Sequence, residues 1–173
     1  EVQKKTSALS DKLNQQIKNL NLENNVKYAY IGGYVGSGYS ISGCVNNTEI
    51  VYEGDGRLIG GLAGNLVNTI NNSSNHAKVD AKLADYVGGL VGYTYGDEEN
   101  QTYITLSSSS ATVQNDSFGA GGLVGYAGYY TSSITKSWST GDVIGGGTYT
   151  GGLVGYNTSA SIYNCYTTGK VSS

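Results

Sequence analysis

The chain has 173 residues, is 38% hydrophobic, carries a net charge of −3, and contains 27 glycines but neither proline nor methionine. So low a hydrophobic content does not require one three-dimensional core. With only 10 lysines and arginines, four of them Lys4, Lys5, Lys12 and Lys18, there is no basic stripe for a nucleic acid, and no cofactor motif is present.

Residues 1–16 differ in pattern from the rest of the chain. Leu9 and Leu13 are four apart, with Ser7 or Ser10 available as a cap, and predict a short helical or irregular N-terminal cap over an open sheet edge. From residue 17 to 173 the sequence repeats. The phrase Gly-Gly-x-x-Gly starts at Gly32, Gly60, Gly88, Gly121 and Gly151, with separations of 28, 28, 33 and 30 residues. An isoleucine follows each phrase (Ile41, Ile70, Ile104, Ile134, Ile162), and nine residues beyond it stands Ile50, Val79, Val113, Val143 or Val171. Ile17 and Val26 keep the same spacing. A period of this length belongs to solenoids. The expected fold is all-β, a β-solenoid of about five to six coils, read as a stretch of a longer array.

Two residues nine apart on a continuous strand face opposite ways. Here both are apolar in every repeat, so the chain must bend between them, and turn-forming residues such as Asn46-Asn47 and Ser73-Ser74-Asn75 lie there. The reading is three short strands per coil: the glycine phrase, the isoleucine strand and the valine strand. The count from first glycine to isoleucine runs 9, 10, 16, 13 and 11, which places the insertions at one variable corner after the glycine phrase. The glycines either take positive φ at a corner or let neighbouring backbone approach closely. Spacing and the missing Gly-Lys-Ser/Thr exclude a phosphate loop.

Cys44 and Cys165 hold the same place in their repeats, three residues after Ile41 and Ile162. Four coils at about 4.8 Å each put them beyond disulfide reach. Leu20, Ser73, Ser107 and Ser137 occupy the matching positions, so the place suits a small inward-facing residue better than a metal or redox role. Tyr93, Tyr126 and Tyr156 follow successive glycine phrases and predict an aromatic ladder, with packing or ligand contact as its purpose. Tyr95, Tyr103, Tyr129 and Tyr130 fall in the variable corner and are the candidate ligand contacts, since loop aromatics with polar tips suit recognition. His76 is the only histidine and reads as a surface residue. Asp97-Glu98-Glu99 lacks the regular spacing of a calcium loop and reads as a solvated acidic turn.

The run Gly151-Gly-Leu-Val-Gly-Tyr-Asn157, succeeded by Ser161-Ile-Tyr-Asn-Cys-Tyr-Thr-Thr-Gly-Lys-Val-Ser172, resembles a GLUG repeat, and the resemblance extends over about residues 17–173. It is weaker where Ala63 and Tyr34 replace the usual residues. GLUG repeats occur in bacterial adhesin-like surface proteins and in non-catalytic regions of immunoglobulin-A-specific zinc metallopeptidases. The resemblance therefore implies an extracellular, cell-surface or secreted setting, does not imply peptidase activity, and carries no catalytic residue over to this stretch.

Three functions are compatible with these features. The favoured one is a non-enzymatic adhesin module, serving as a rigid stalk or as a platform for a host glycan, an extracellular protein or another bacterial surface polymer. The second is the substrate-positioning region of a secreted metallopeptidase. The third is a filament subunit that associates end to end through open terminal strands. No run of about 18 apolar residues and no basic-then-apolar leader is present, so direct membrane insertion is not expected, and any export signal or anchor would lie outside the sequence.

Overall fold

A computed structural model describes residues 29–173; the expected cap over 1–16 and the Ile17 to Val26 half-repeat lie outside the described residues. Among the described residues the chain is all-β without a helix, and it winds through five coils as a parallel β-solenoid.

Four parallel sheets run along the solenoid. Sheet I stacks Ala29–Gly32, Arg57–Gly60, Tyr86–Gly88, Gly119–Gly121 and Tyr149–Gly151. Sheet II begins with two long strands, Val35–Ser42 and Ala63–Asn71. It continues as strand pairs: Val91–Thr94 with Thr102–Thr105, Val124–Ala127 with Thr131–Thr135, and Val154–Asn157 with Ser161–Tyr163. Sheet III is a stack of two-residue strands, Val45–Asn46, Ser74–Asn75, Ser108–Ser109, Trp138–Ser139 and Tyr166–Thr167. Sheet IV carries Ile50–Val51, Val79–Asp80, Val113–Asn115, Val143–Gly145 and Val171–Ser172.

The expected three strands per coil therefore become four faces. The glycine phrase is not one strand: Gly60 ends a strand of sheet I, Gly61 and Leu62 bend, and Ala63 opens sheet II. The reason lies in the side chains, because Ile59 and Leu62 are three apart and both fully buried, which a straight strand forbids. The bend expected between isoleucine and valine is present as two corners with sheet III between them. The insertions are also relocated. They lie midway along sheet II, between its two half-strands, and each coil returns to register beyond them, with Ile70, Ile104, Ile134 and Ile162 as consecutive partners.

Two apolar columns fill the solenoid. Leu62, Leu90 and Leu123 pack with Ile70, Ile104 and Ile134 in one, all fully buried. Ile59, Val87 and Ala120 pack with Val79, Val113 and Val143 in the other. Burying a leucine, isoleucine or valine contributes roughly 1.5–3 kcal/mol, so each interior coil supplies its own axial core. A buried polar row, Asn46, Asn75, Ser109 and Ser139, lies across from the second glycine of the first four phrases. Asn46 Nδ2 donates to Asn75 Oδ1 at 2.9 Å, and Asn75 Nδ2 donates to the Gly89 carbonyl at 2.8 Å.

Close approach is what the phrase glycines provide. A Cβ on Gly88 would collide with the Val91 carbonyl and lie 2.8 Å from both Gly125 N and Leu123 O. Among described glycines only Gly43 and Gly56 have positive φ, and neither belongs to a phrase start. The left-handed turn sits elsewhere, two residues after each isoleucine: Gly43, Asn72, Leu106, Lys136 and Asn164 have φ of 66°, 46°, 50°, 47° and 55°. That turn delivers the chain from sheet II to sheet III.

Candidate functional site

The insertions of the third and fourth coils stack on each other and carry three of the four candidate tyrosines. Tyr95, Tyr129 and Tyr130 line one open groove of about 590 Å³, with Gln101, Ser132 and Ser159. Tyr129 is the most exposed of them, at 64%. Tyr130 holds a φ of 60°, a left-handed conformation unusual for an aromatic residue.

The backbone explains why these side chains converge. Gly96 N donates to the Tyr129 carbonyl at 3.3 Å, and Thr102 N donates to the Tyr130 carbonyl at 3.0 Å, so the shorter insertion is tied to both ends of the longer one. Gly96 leaves the space where Tyr130 packs: a Cβ there would stand 3.1 Å from Tyr130 Cβ. Beneath the groove, buried hydroxyls clamp the insertion ends. Thr94 and Thr131 share a hydrogen bond of 2.8 Å between their Oγ1 atoms, and Thr102 Oγ1 donates to the Val67 carbonyl at 2.6 Å. The sequence reading missed these threonines, although their signal was available: a threonine borders both ends of the third coil's insertion.

Tyr103 does not join this group. It lies in a separate groove of about 300 Å³ with Tyr39, Asn68, Glu98, Glu99 and Asn100, and Gln101 forms the wall between the two. The acidic turn beside it is self-contained. Asp97 Oδ1 accepts the N–H groups of Glu99 and Asn100 at 2.9 and 2.7 Å, and the hydrogen bond from Asn100 first of all holds its carboxyl below the usual range. Among the described residues no group of three histidine, cysteine or acidic side chains is arranged to hold a metal ion. Every lining residue of the tyrosine groove is uncharged. Its chemistry is stacking on phenol rings and hydrogen bonding to hydroxyls and one amide.

The tyrosines beyond the insertions form a pillar. Tyr93, Tyr126 and Tyr156 are register partners with ring centroids 4.9 Å apart at each step. Tyr86 joins from sheet I at 4.9 Å from Tyr126, and Tyr149 at 4.4 Å from Tyr156. Burial, then the neighbouring phenols, raises the Tyr86 and Tyr93 hydroxyls above their ordinary range.

Among the described residues Cys44 and Cys165 are free and half-buried, in the first and last coils of a row otherwise built of serine. Ser73, Ser107 and Ser137 each donate Oγ–H to the carbonyl two residues back, at 2.8 Å. Each Oγ also accepts the backbone N–H of the matching residue one coil earlier, at 3.1 to 3.2 Å. Cys165 Sγ repeats the first of these bonds to the Tyr163 carbonyl at 3.4 Å. His76 bridges two surface serines, with Nε2 3.2 Å from Ser74 Oγ and Nδ1 2.9 Å from Ser110 Oγ.

The family model described as the GLUG motif matches residues 116–144 and 146–172. Each match spans one coil, from just before its sheet I strand into sheet IV, so the fourth and fifth coils are GLUG repeats. The coils before them share the same four sheets in register. No match was found among curated proteins or among solved structures.

Proposed function

We propose that this GLUG-bearing solenoid is a non-catalytic module of a bacterial cell-surface adhesin, at once a stiff spacer and a binding platform facing the extracellular medium. The observation that carries the reading is the tyrosine groove. Two insertions of different length, in neighbouring coils, place Tyr95, Tyr129 and Tyr130 around one open cleft. Insertions tolerated only for spacing would have no reason to be clamped by buried threonines or to hold Tyr130 in a left-handed turn. A groove fixed before its ligand arrives loses less conformational entropy on binding. The uncharged lining favours a neutral surface polymer or glycan over a sulfated or nucleic ligand.

The test is an array of glycans and extracellular proteins, probed with the purified chain and with a variant carrying Tyr95→Ala, Tyr129→Ala and Tyr130→Ala. A saturable ligand bound by the first and released by the second supports the platform. If the two bind alike, or neither binds, the groove has no recognition role and the module is a spacer.

A further inference from the structure

We propose that the notch in front of Trp138, on sheet III, is a second binding site, for a neutral oligosaccharide. It lies on a different face from the tyrosine groove and does not depend on that groove binding anything. One row of sheet III reads Val45, Ser74, Ser108, Trp138 and Tyr166 in successive coils. Trp138 and Tyr166 lie parallel, with ring centroids 6.0 Å apart and planes 5° apart. One face of the indole is therefore taken by the phenol. The other looks along the row toward Ser108, whose side chain is too short to cover it.

Two small residues in succession open a space of about 290 Å³, bounded by Val45 at one end and Trp138 at the other, with Asn72, Ser74, Leu106 and Ser108 around it. Three strand spacings, about 14 Å, separate its ends, enough length for a disaccharide. This makes the row unlike the tyrosine pillar, which fills every step of its last three coils with a ring. A sugar ring has a C–H face that packs on an aromatic plane and a rim of hydroxyls that require short polar partners. Trp138 is half-buried, and the notch offers its indole with serine hydroxyls and an asparagine amide beside it. No acidic or basic side chain lines it, which selects against a charged ligand.

Trp138 is the only tryptophan, so its fluorescence reads this site alone. The whole chain is titrated with cellohexaose, chitohexaose, maltohexaose and mannohexaose. The expected result is a saturable change in emission with at least one of them, half-complete at about 1 mM or below. Ser108→Tyr continues the aromatic stack through the notch, and is expected to keep the circular dichroism spectrum while weakening that response by about tenfold or more. The triple alanine variant of Tyr95, Tyr129 and Tyr130 should respond as the parent does. No saturable change with any of the four sugars overturns the proposal, and so does an undiminished response in Ser108→Tyr. Loss in the triple variant would reassign the binding to sheet II. Should Ser108→Tyr fail to fold, Trp138→Ser read by calorimetry decides in its place, and unchanged binding heat there is equally fatal. Success here with silence on the tyrosine groove would separate the two sites.

Discussion

Lys136 is exposed and adopts a φ of 47° at the turn from sheet II to sheet III, where the equivalent residues in other coils include Gly43, Asn72 and Asn164. A side chain with a Cβ loses about 1–2 kcal/mol in this region, and asparagine tolerates it by local hydrogen bonding. Lys136→Asn is expected to raise stability by about 0.5–1 kcal/mol, read as a higher urea midpoint with unchanged slope. The neighbouring serine row gives the opposite case. Ser107 Oγ accepts the Ser73 N–H at 3.2 Å in the buried interior, so Ser107→Ala orphans that donor and should cost about 1–3 kcal/mol. Ser107→Cys should cost less than that, because a thiol keeps the donated half of the pattern, as Cys165 Sγ does to the Tyr163 carbonyl; urea melts of the pair measure the difference. Both cysteines were legible as small residues of one register. The left-handed position beside them was not, since a lysine and a leucine hold it in two coils and conceal what the glycine and asparagines reveal.

At the scale of elements, the Ile-x8-Val spacing exposed sheets II and IV because insertions never interrupt it. The glycine phrase was harder. Its glycines read as one strand until the burial of Ile59 and Leu62 on either side is considered, and only then does the corner show. The tyrosine pillar was readable from Tyr93, Tyr126 and Tyr156, whereas Tyr86 and Tyr149 reach it from another sheet, and no spacing within a repeat announces that. The pillar also has a pH signature. Tyr86 and Tyr93 have hydroxyls raised from 10.0, chiefly by burial, so folding favours their neutral forms. Their contribution is intact below pH 10 and is lost as the pH rises through the higher folded values, where the unfolded chain binds fewer protons than the native one. Thermal melts between neutral pH and strong alkali should show a falling midpoint beginning near the ordinary tyrosine range. Spectrophotometric titration should show these two phenols ionising above the ordinary tyrosine range. A melting midpoint that stays level through that range would contradict a half-buried pillar.

For the whole molecule the governing fact is that each coil meets only its neighbours, so stability accumulates coil by coil and an insertion can leave the axial core alone. Ile104 regains its partnership with Ile70 despite the longer path from Gly88. Deleting Gly96–Gln101 would make that path equal to the one from Gly60 to Ile70, where the strand Ala63–Asn71 runs unbroken. The difference in loop length alone is worth well under about 1 kcal/mol. The deletion variant is therefore expected to keep the β-sheet dichroism and to melt in one transition close to the parent. It should also lose whatever the tyrosine groove binds, because Gln101 is gone and Tyr129 and Tyr130 have lost the Gly96 backbone on which they rest. The Trp138 response should survive, as sheet III is untouched. A collapse of the fold would mean that the threonine clamps, and not the axial columns alone, hold the third coil together. Retained binding would mean that the insertions are tolerated by the solenoid without being used by it.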